Sequence, residues 1–241
     1  MIKALALLIP VIFLPCIFAH GQTPAGLEWK KDRGTSSLPL KEKDANVNKP
    51  PKWQFGLNGG YAYRLFRPGQ IPDVATKNYI DDLKSGIAFG GNISYFQWEK
   101  VALGLVYEYY QSKAASEDGL KENVTIQHLS GSVTYRSYFK NHTTSVLTSF
   151  LLGYQPYRNK ANSSAESLTF TGQTMGWGIS VGLEQKLSSR FALNLTGSAM
   201  MGAIYRMKRK TSINTEILHL SKDDSVDLSR ASLTLGLRFS K

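Results

Sequence analysis

Residues 53–65 read WQFGLNGGYAYRL. Phe55, Leu57, Gly59, Tyr61, Tyr63 and Leu65 fall on one side of an extended chain, and Gln54, Gly56, Asn58, Gly60, Ala62 and Arg64 fall on the other. One face is apolar and the other is small, polar or charged. The same period-two rhythm recurs in about eight runs between Trp53 and Phe239. Alternation alone shows that one face of each strand meets apolar surroundings, which holds for soluble barrels as well as membrane barrels.

The connections add the missing information. Short ones are expected around 97–100, 140–142 and 188–189, and long polar ones around 67–85, 116–122, 157–167 and 208–225. Between them, strands place Ile87, Phe89, Ile93 and Tyr95, then Leu103, Leu105, Tyr107 and Tyr109, on the apolar face. Leu129, Val133 and Tyr135 continue it, followed by Phe150, Leu152 and Tyr154. Trp177, Ile179, Val181 and Leu183, then Phe191, Leu193 and Leu195, and last Leu233, Leu235, Leu237 and Phe239 complete it. Val124 and Ile126 fall out of phase with this set, which predicts a bulge or register change near His128. Alternating short and long connections suit strands that cross a bilayer, with tight turns on one side and exposed loops on the other.

The chemistry of the second face indicates which side turns inward. It combines Gly, Ala and Ser with Asn58, Arg64, Glu108, Arg136, Glu184, Asn194, Arg206, Arg230 and Arg238. A soluble ligand-binding barrel would enclose the apolar face instead. In water the apolar face would form a very large exposed band, whereas in lipid it is the favourable surface. Tyrosines toward strand ends, among them Tyr61, Tyr95, Tyr107, Tyr135 and Tyr154, match interfacial girdles. Closure leaves no unpaired strand edge in hydrocarbon. The expected fold is therefore all-β, an eight-stranded antiparallel up-and-down transmembrane β-barrel over 53–241.

The rest of the 241-residue chain fits this placement. Lys3, the apolar run 4–18 and Ala19-His20-Gly21 predict a cleaved signal peptide over 1–21. Residues 22–52 are polar and Pro-containing and are expected to form a flexible periplasmic tail. The only cysteine, Cys16, falls inside the expected signal, so no disulfide or thiol chemistry is expected in the mature protein. The net charge of +11 is explained by a basic periplasmic tail and basic loops, and since export argues against nucleic acid, anionic lipid headgroups or surface polysaccharide phosphates are the better candidate partners. After residue 21 no apolar run reaches the ~20 residues of a membrane helix.

Candidate chemistry is sparse. A turn near Asp118 would bring Glu108 and His128 opposite each other on the inner face, as an acid/base pair or as a structural contact that neutralises charge. With Arg64, Arg136, Glu184, Arg206, Arg230 and Arg238 they make up an expected lumen charge network. Because eight strands enclose a lumen that side chains can fill, a salt-bridged plug is expected over an anion-favouring pore. Arg206, Lys208, Arg209 and Lys210 cluster where the seventh strand leaves the membrane, either to hold lipopolysaccharide phosphates or as a solvated loop face. His142 and His219 lack the spacing of zinc ligands. No phosphate-binding Gly-rich loop, nucleophile elbow or metalloprotease helix is present, so no catalytic residue, metal site or cofactor is assigned.

The chain resembles the eight-stranded outer-membrane barrels of Gram-negative bacteria, of the OmpA transmembrane-domain and OmpX kind, over about residues 53–241. The most specific local element is the terminal strand 233–239, LTLGLRF, whose Gly236 and Phe239 are similar to the aromatic-ended assembly signal of that family. Here Ser240 and Lys241 follow the aromatic. The resemblance implies a monomer in the cell outer membrane, with barrel-assembly machinery, outer-membrane lipids and lipopolysaccharide as partners. It implies a non-enzymatic role in envelope structure or surface interaction through the extracellular loops. A channel for small solutes or hydrophobic molecules is the alternative, and a loop-borne lipid-modifying enzyme the third reading.

Overall fold

The computed structural model describes residues 52–66, 74–140, 143–163 and 166–241. The signal expected over 1–21 and all but the last residue of the tail expected over 22–52 lie outside the described residues, as do Asn141 and His142. In chain order the elements are β1 (Trp53–Arg64), α1 (Val74–Lys84), β2 (Ser85–Phe96), β3 (Val101–Ala115), β4 (Lys121–Tyr138), β5 (Thr144–Asn162) and β6 (Ser167–Lys186). They continue with β7 (Phe191–Met201), β8 (Ala203–Ile204), β9 (Arg206–Lys210), β10 (Thr215–His219), β11 (Val226–Asp227) and β12 (Arg230–Ser240). Each of β1 to β6 pairs antiparallel with the next strand in sequence, β7 pairs with β12, and β12 returns to β1. Eight strands thus close on themselves, and every backbone edge within the barrel is paired.

Exposure runs inside out. Leu57, Leu105 and Met175 are 75%, 60% and 64% exposed, while Arg136 and Arg230 are 1% and 0% exposed. Such a distribution would be untenable in water, where apolar burial drives folding. It is what a hydrocarbon solvent demands. The outward apolar stretch of β5 covers 146–154, consistent with the ~9–11 residues a tilted membrane strand needs. Aromatic rings band its two rims. Trp53 packs on Tyr95 with ring centres 4.8 Å apart and Phe191 on Phe239 at 5.5 Å, both at the end with the short connections. Phe89 and Tyr109 meet at 4.6 Å toward the opposite rim.

The connections on the long side contain more regular structure than the sequence suggests. Most of the span expected as a loop over 157–167 belongs to β5, which runs to Asn162, and to β6, which begins at Ser167. Beyond the bilayer the outer face of a strand meets water, so Arg158 and Lys160 replace apolar residues and the stretch reads as polar coil. The expected loop at 208–225 likewise contains the β9–β10 hairpin, and β9 pairs with β6. The one expected at 67–85 contains α1. Ala75, Tyr79 and Leu83 recur at helical spacing on the half-buried side of α1, and Leu83 packs on the apolar core. Together β3, β4, β5, β6, β9 and β10 form a sheet that rises above one side of the barrel, at the end with the long connections.

No bulge interrupts β4 near His128. Its pairing with β3 runs in constant register from Val101↔Tyr135 through Glu108↔His128 to Ala115↔Lys121. The expectation fails because Val124 and Ile126 face inward, into an apolar core that fills the outer mouth.

Candidate functional site: a layered lumen beneath an outer sheet

Three layers fill the interior. Nearest the short turns, Gln54, Arg136, Glu184 and Arg238 lock together. Gln54 donates from Nε2 to Glu184 Oε2 at 2.6 Å and accepts from Arg136 Nη2 at 2.9 Å. Arg238 Nη1 lies 3.4 Å from Glu184 Oε2, and Arg136 Nη2 lies 3.8 Å from Glu184 Oε1. The Arg136 guanidinium also stacks 3.8 Å above the Phe96 ring, which packs with Ala102 and Leu147. One carboxylate thus serves two guanidiniums, and the amide of Gln54 bridges them. These contacts offset part of the cost of burying the charges, while Arg136 Nε and Arg238 Nε are left without a hydrogen-bond partner among the described residues.

The middle layer is lined by short polar side chains, among them Asn92, Ser132, Thr134, Ser149, Ser180 and Thr196, around a cavity of about 60 Å³. Above it Arg230 reaches across from β12 to Glu108 on β3, with Nη2 and Nε at 2.7 and 2.9 Å from Oε1. Glu108 and His128 are indeed neighbours in register, and His128 is fully buried. The carboxylate is engaged by Arg230, and the layers on either side enclose the pair. Gln155 sits at this level in a seat formed by Gly176 and Gly202, where an added Cβ would collide with its amide.

The outer layer is apolar. Tyr110, Val124, Ile126, Tyr157, Ile204, Met207 and Leu228 form one buried cluster, with Leu83 of α1 and Leu218 of β10 packed against it. Arg64 lies at its edge, donating to the Asp227 carbonyl at 3.0 Å and covering the Phe66 ring at 4.5 Å. A polar lumen throughout was the expectation from the sequence, and this layer corrects it. Apart from Met207, its residues share the parity of the polar inner face, a signal visible in Val124 and Ile126.

Arg206 does not join the lumen. Tyr205 forms a bend between β8 and β9, so Tyr205 and Arg206 are both exposed and Met207 takes the buried position. The one-residue slip reverses the parity expected for β9. Lys208 and Lys210 are exposed on the same face as Arg206, whereas Arg209 shares the face of Met207 and stands opposite Glu216 in register. Gly236 is closely enclosed by Leu57, Asn58 and Asn194, and Phe239 stands opposite Phe55 and Phe191 at the inner rim. Among the described residues no cluster of His, Cys, Asp and Glu is arranged to hold a metal.

No protein-family model matches the chain, and no curated protein matches it. Solved structures do. A major outer membrane protein from Thermus thermophilus aligns at 12% identity with a TM-score of 0.53, over 79% of this chain and 98% of that one. The outer membrane protein OprG from Pseudomonas aeruginosa aligns at 12% identity and 0.48, over 80% and 98%. Ail, the attachment invasion locus protein of Yersinia pestis, aligns at 15% identity and 0.46, over 78% and 98%. At these identities the likeness concerns the fold. With its closed eight-stranded meander, lipid-suited exterior and polar inner face, the chain has the fold of the outer-membrane β-barrels.

Proposed function

We propose that this protein is a sealed, non-enzymatic barrel of the outer membrane of a Gram-negative bacterium, which anchors an extracellular sheet for envelope structure or surface interaction. The observation that carries this reading is the lumen. An ionic layer around Glu184 lies at one end, an apolar layer around Ile126 and Met207 at the other, and only about 60 Å³ between them. A conducting barrel needs a continuous polar path, and an apolar constriction excludes ions by dewetting. The same enclosure keeps bulk substrate from Glu108 and His128, which argues against an acid/base role for that pair. By contrast, the side with the long connections presents six paired strands to solvent, a rigid platform of the kind on which binding surfaces are held.

Within this reading the protein acts as a monomer, since closure pairs every strand edge of the barrel within the bilayer, and β10 ends the outer sheet as a short edge of five residues. Gly236 and Phe239 of β12 supply the strand that assembly machinery engages. The test is to isolate the outer-membrane fraction, purify the mature protein and record from planar bilayers. The expected result is outer-membrane fractionation with no ohmic conductance. Steady channel currents would favour the solute-channel alternative, and turnover of labelled phospholipid would favour a lipid-modifying enzyme.

A further inference from the structure

The outer face of the extracellular sheet separates charge by sign. Because β3, β4, β5, β6 and β9 are in register, residues on different strands fall into horizontal rows. One row runs Lys113↔Asn123↔Lys160↔Thr169↔Lys210. The row next nearer the membrane runs Gln111↔Thr125↔Arg158↔Thr171↔Lys208. Lys121 stands above these rows and Arg206 below them on the same face. Every one of these cations is exposed. Among the described residues none forms an ion pair, and no Asp or Glu occupies an outward position on these five strands. The carboxylates Glu122 and Glu216 lie on the opposite, inward face, where Asn159 donates to Glu122 at 2.8 Å.

The geometry is that of a grid. Neighbouring strands lie about 4.8 Å apart, so Lys113, Lys160 and Lys210 recur about every 10 Å across the row, and successive rows are separated by about 7 Å along a strand. Asn123, Thr125, Thr169 and Thr171 fill the positions between cations with hydrogen-bonding groups. The height is equally telling. Arg158 and Lys160 follow Tyr154 by two and three outward positions, and Lys113 follows Tyr109 by two. Tyrosines mark the interface, so the cations stand at headgroup level and face sideways toward neighbouring lipid. On the low side of the barrel the corresponding outward strand positions are Tyr63 and Leu65 on β1 and Ala203 on β8, where Lys84 covers the Tyr63 ring at 5.9 Å, so among the described residues the rows of outward strand cations lie on one flank.

We infer that this flank is a binding surface for the phosphate groups of lipopolysaccharide, formed by Lys113, Arg158, Lys160, Arg206, Lys208 and Lys210, with the glycolipid lying against the sheet just above the tyrosine girdle. This rests on the outer-membrane placement proposed above. A lateral, membrane-level field of unpaired cations matches the fixed phosphates of the leaflet more closely than a soluble polyanion, which would meet the tip of the sheet. The surface adds cations on two further strands, β5 and β3, to the cluster at 206–210 and leaves Arg209 out, because its face is turned toward Glu216.

The test uses the mature full-length protein in detergent, titrated with lipopolysaccharide, with chemically dephosphorylated lipopolysaccharide and with heparin as a soluble polyanion. The combined variant Arg158→Gln, Lys160→Gln, Lys208→Gln, Lys210→Gln is compared with Arg209→Gln, each first shown to give the compact, heat-modifiable band of a folded barrel. With each cation contributing about a fivefold change near an anionic surface, the combined variant is expected to bind lipopolysaccharide at least about 100-fold more weakly. Arg209→Gln is expected to match wild type, and dephosphorylation is expected to weaken binding to wild type alone. Equal binding by the combined variant and wild type, an equal loss in Arg209→Gln, or heparin outcompeting lipopolysaccharide would overturn the inference. A folded protein absent from the outer-membrane fraction would instead overturn the placement on which it rests.

Discussion

Arg230 on β12 and Glu108 on β3 meet at 2.7 Å across the lumen, although β1 and β2 separate their strands in the sheet. The pair therefore ties together two parts of the barrel wall that are three strands apart rather than neighbours. Removing one partner leaves a buried charge uncompensated. Glu108→Gln and Arg230→Met are each expected to cost about 3–5 kcal/mol, while the double variant recovers most of that loss. Urea unfolding in liposomes measures all three, and additive losses in the double variant would show that the pair is not coupled.

The layered interior makes a second, less obvious prediction. Arg136→Ala combined with Arg238→Ala removes the guanidiniums around Glu184 but leaves the apolar layer of Val124, Ile126 and Met207 in place. Planar-bilayer recordings of this variant are expected to stay silent, since the remaining constriction still excludes ions. A steady conductance would assign the seal to the ionic layer alone.

Glycines on the two faces of the wall are expected to tolerate substitution differently. A Cβ at Gly153 would lie 2.1 Å from the Leu129 carbonyl and 2.4 Å from Ser130 Cα, both backbone atoms of β4 that cannot swing aside. At Gly131, which faces lipid, the nearest atom would be 4.0 Å away. Gly153→Ala is expected to lose about 1–3 kcal/mol by forcing β5 away from β4. Gly131→Ala is expected to stay within about 0.5 kcal/mol of wild type. The folded fraction on semi-native gels separates the two.

Tyr79 gives the outer side a pH dependence. Burial within α1, reinforced by the neighbouring Glu122 carboxylate, raises its hydroxyl pKa above the ordinary value of 10.0. The sign follows from linkage. The folded state holds this proton more tightly than the unfolded helix does, so the stabilisation is complete below pH 10 and is lost as pH rises from there toward the raised folded value. Limited trypsin cleavage at Lys77 and Lys84 is expected to rise above pH 10 in wild type and to lose that dependence in Tyr79→Phe.

Much of the barrel is legible in the sequence because lipid enforces a strict period of two. From Phe55 to Leu65 and from Leu233 to Phe239 the outward residues are apolar, and their register partners across β1 and β12 agree with them. The sequence becomes harder to read where the solvent on the outer face changes. At Arg158 and Lys160 polar residues remain strand because water has replaced lipid outside while Tyr157 and Ala161 stay buried inside. Val124 and Ile126 looked out of phase only because a polar lumen was assumed along its whole length. At Tyr205 a single bend moves Arg206 from the expected interior to the surface, a local backbone event that residue spacing does not encode. Of the interior contacts, the Glu108–His128 register could be counted from one turn, whereas Arg230 and Glu108 are joined only by closure of the barrel.

The central claim is that the apolar face meets lipid and the polar face a closed lumen. Since Cys16 is the only cysteine and lies in the expected signal, single cysteines can be placed at each position from Leu129 to Arg136 without background thiols. Spin labels at these positions, in protein reconstituted into bilayers, are then relaxed by oxygen or by a water-soluble nickel chelate. High oxygen accessibility is predicted at 129, 131, 133 and 135, with little access to either reagent at 130, 132, 134 and 136. Strong nickel accessibility at the odd positions, or no alternation along β4, would contradict the account.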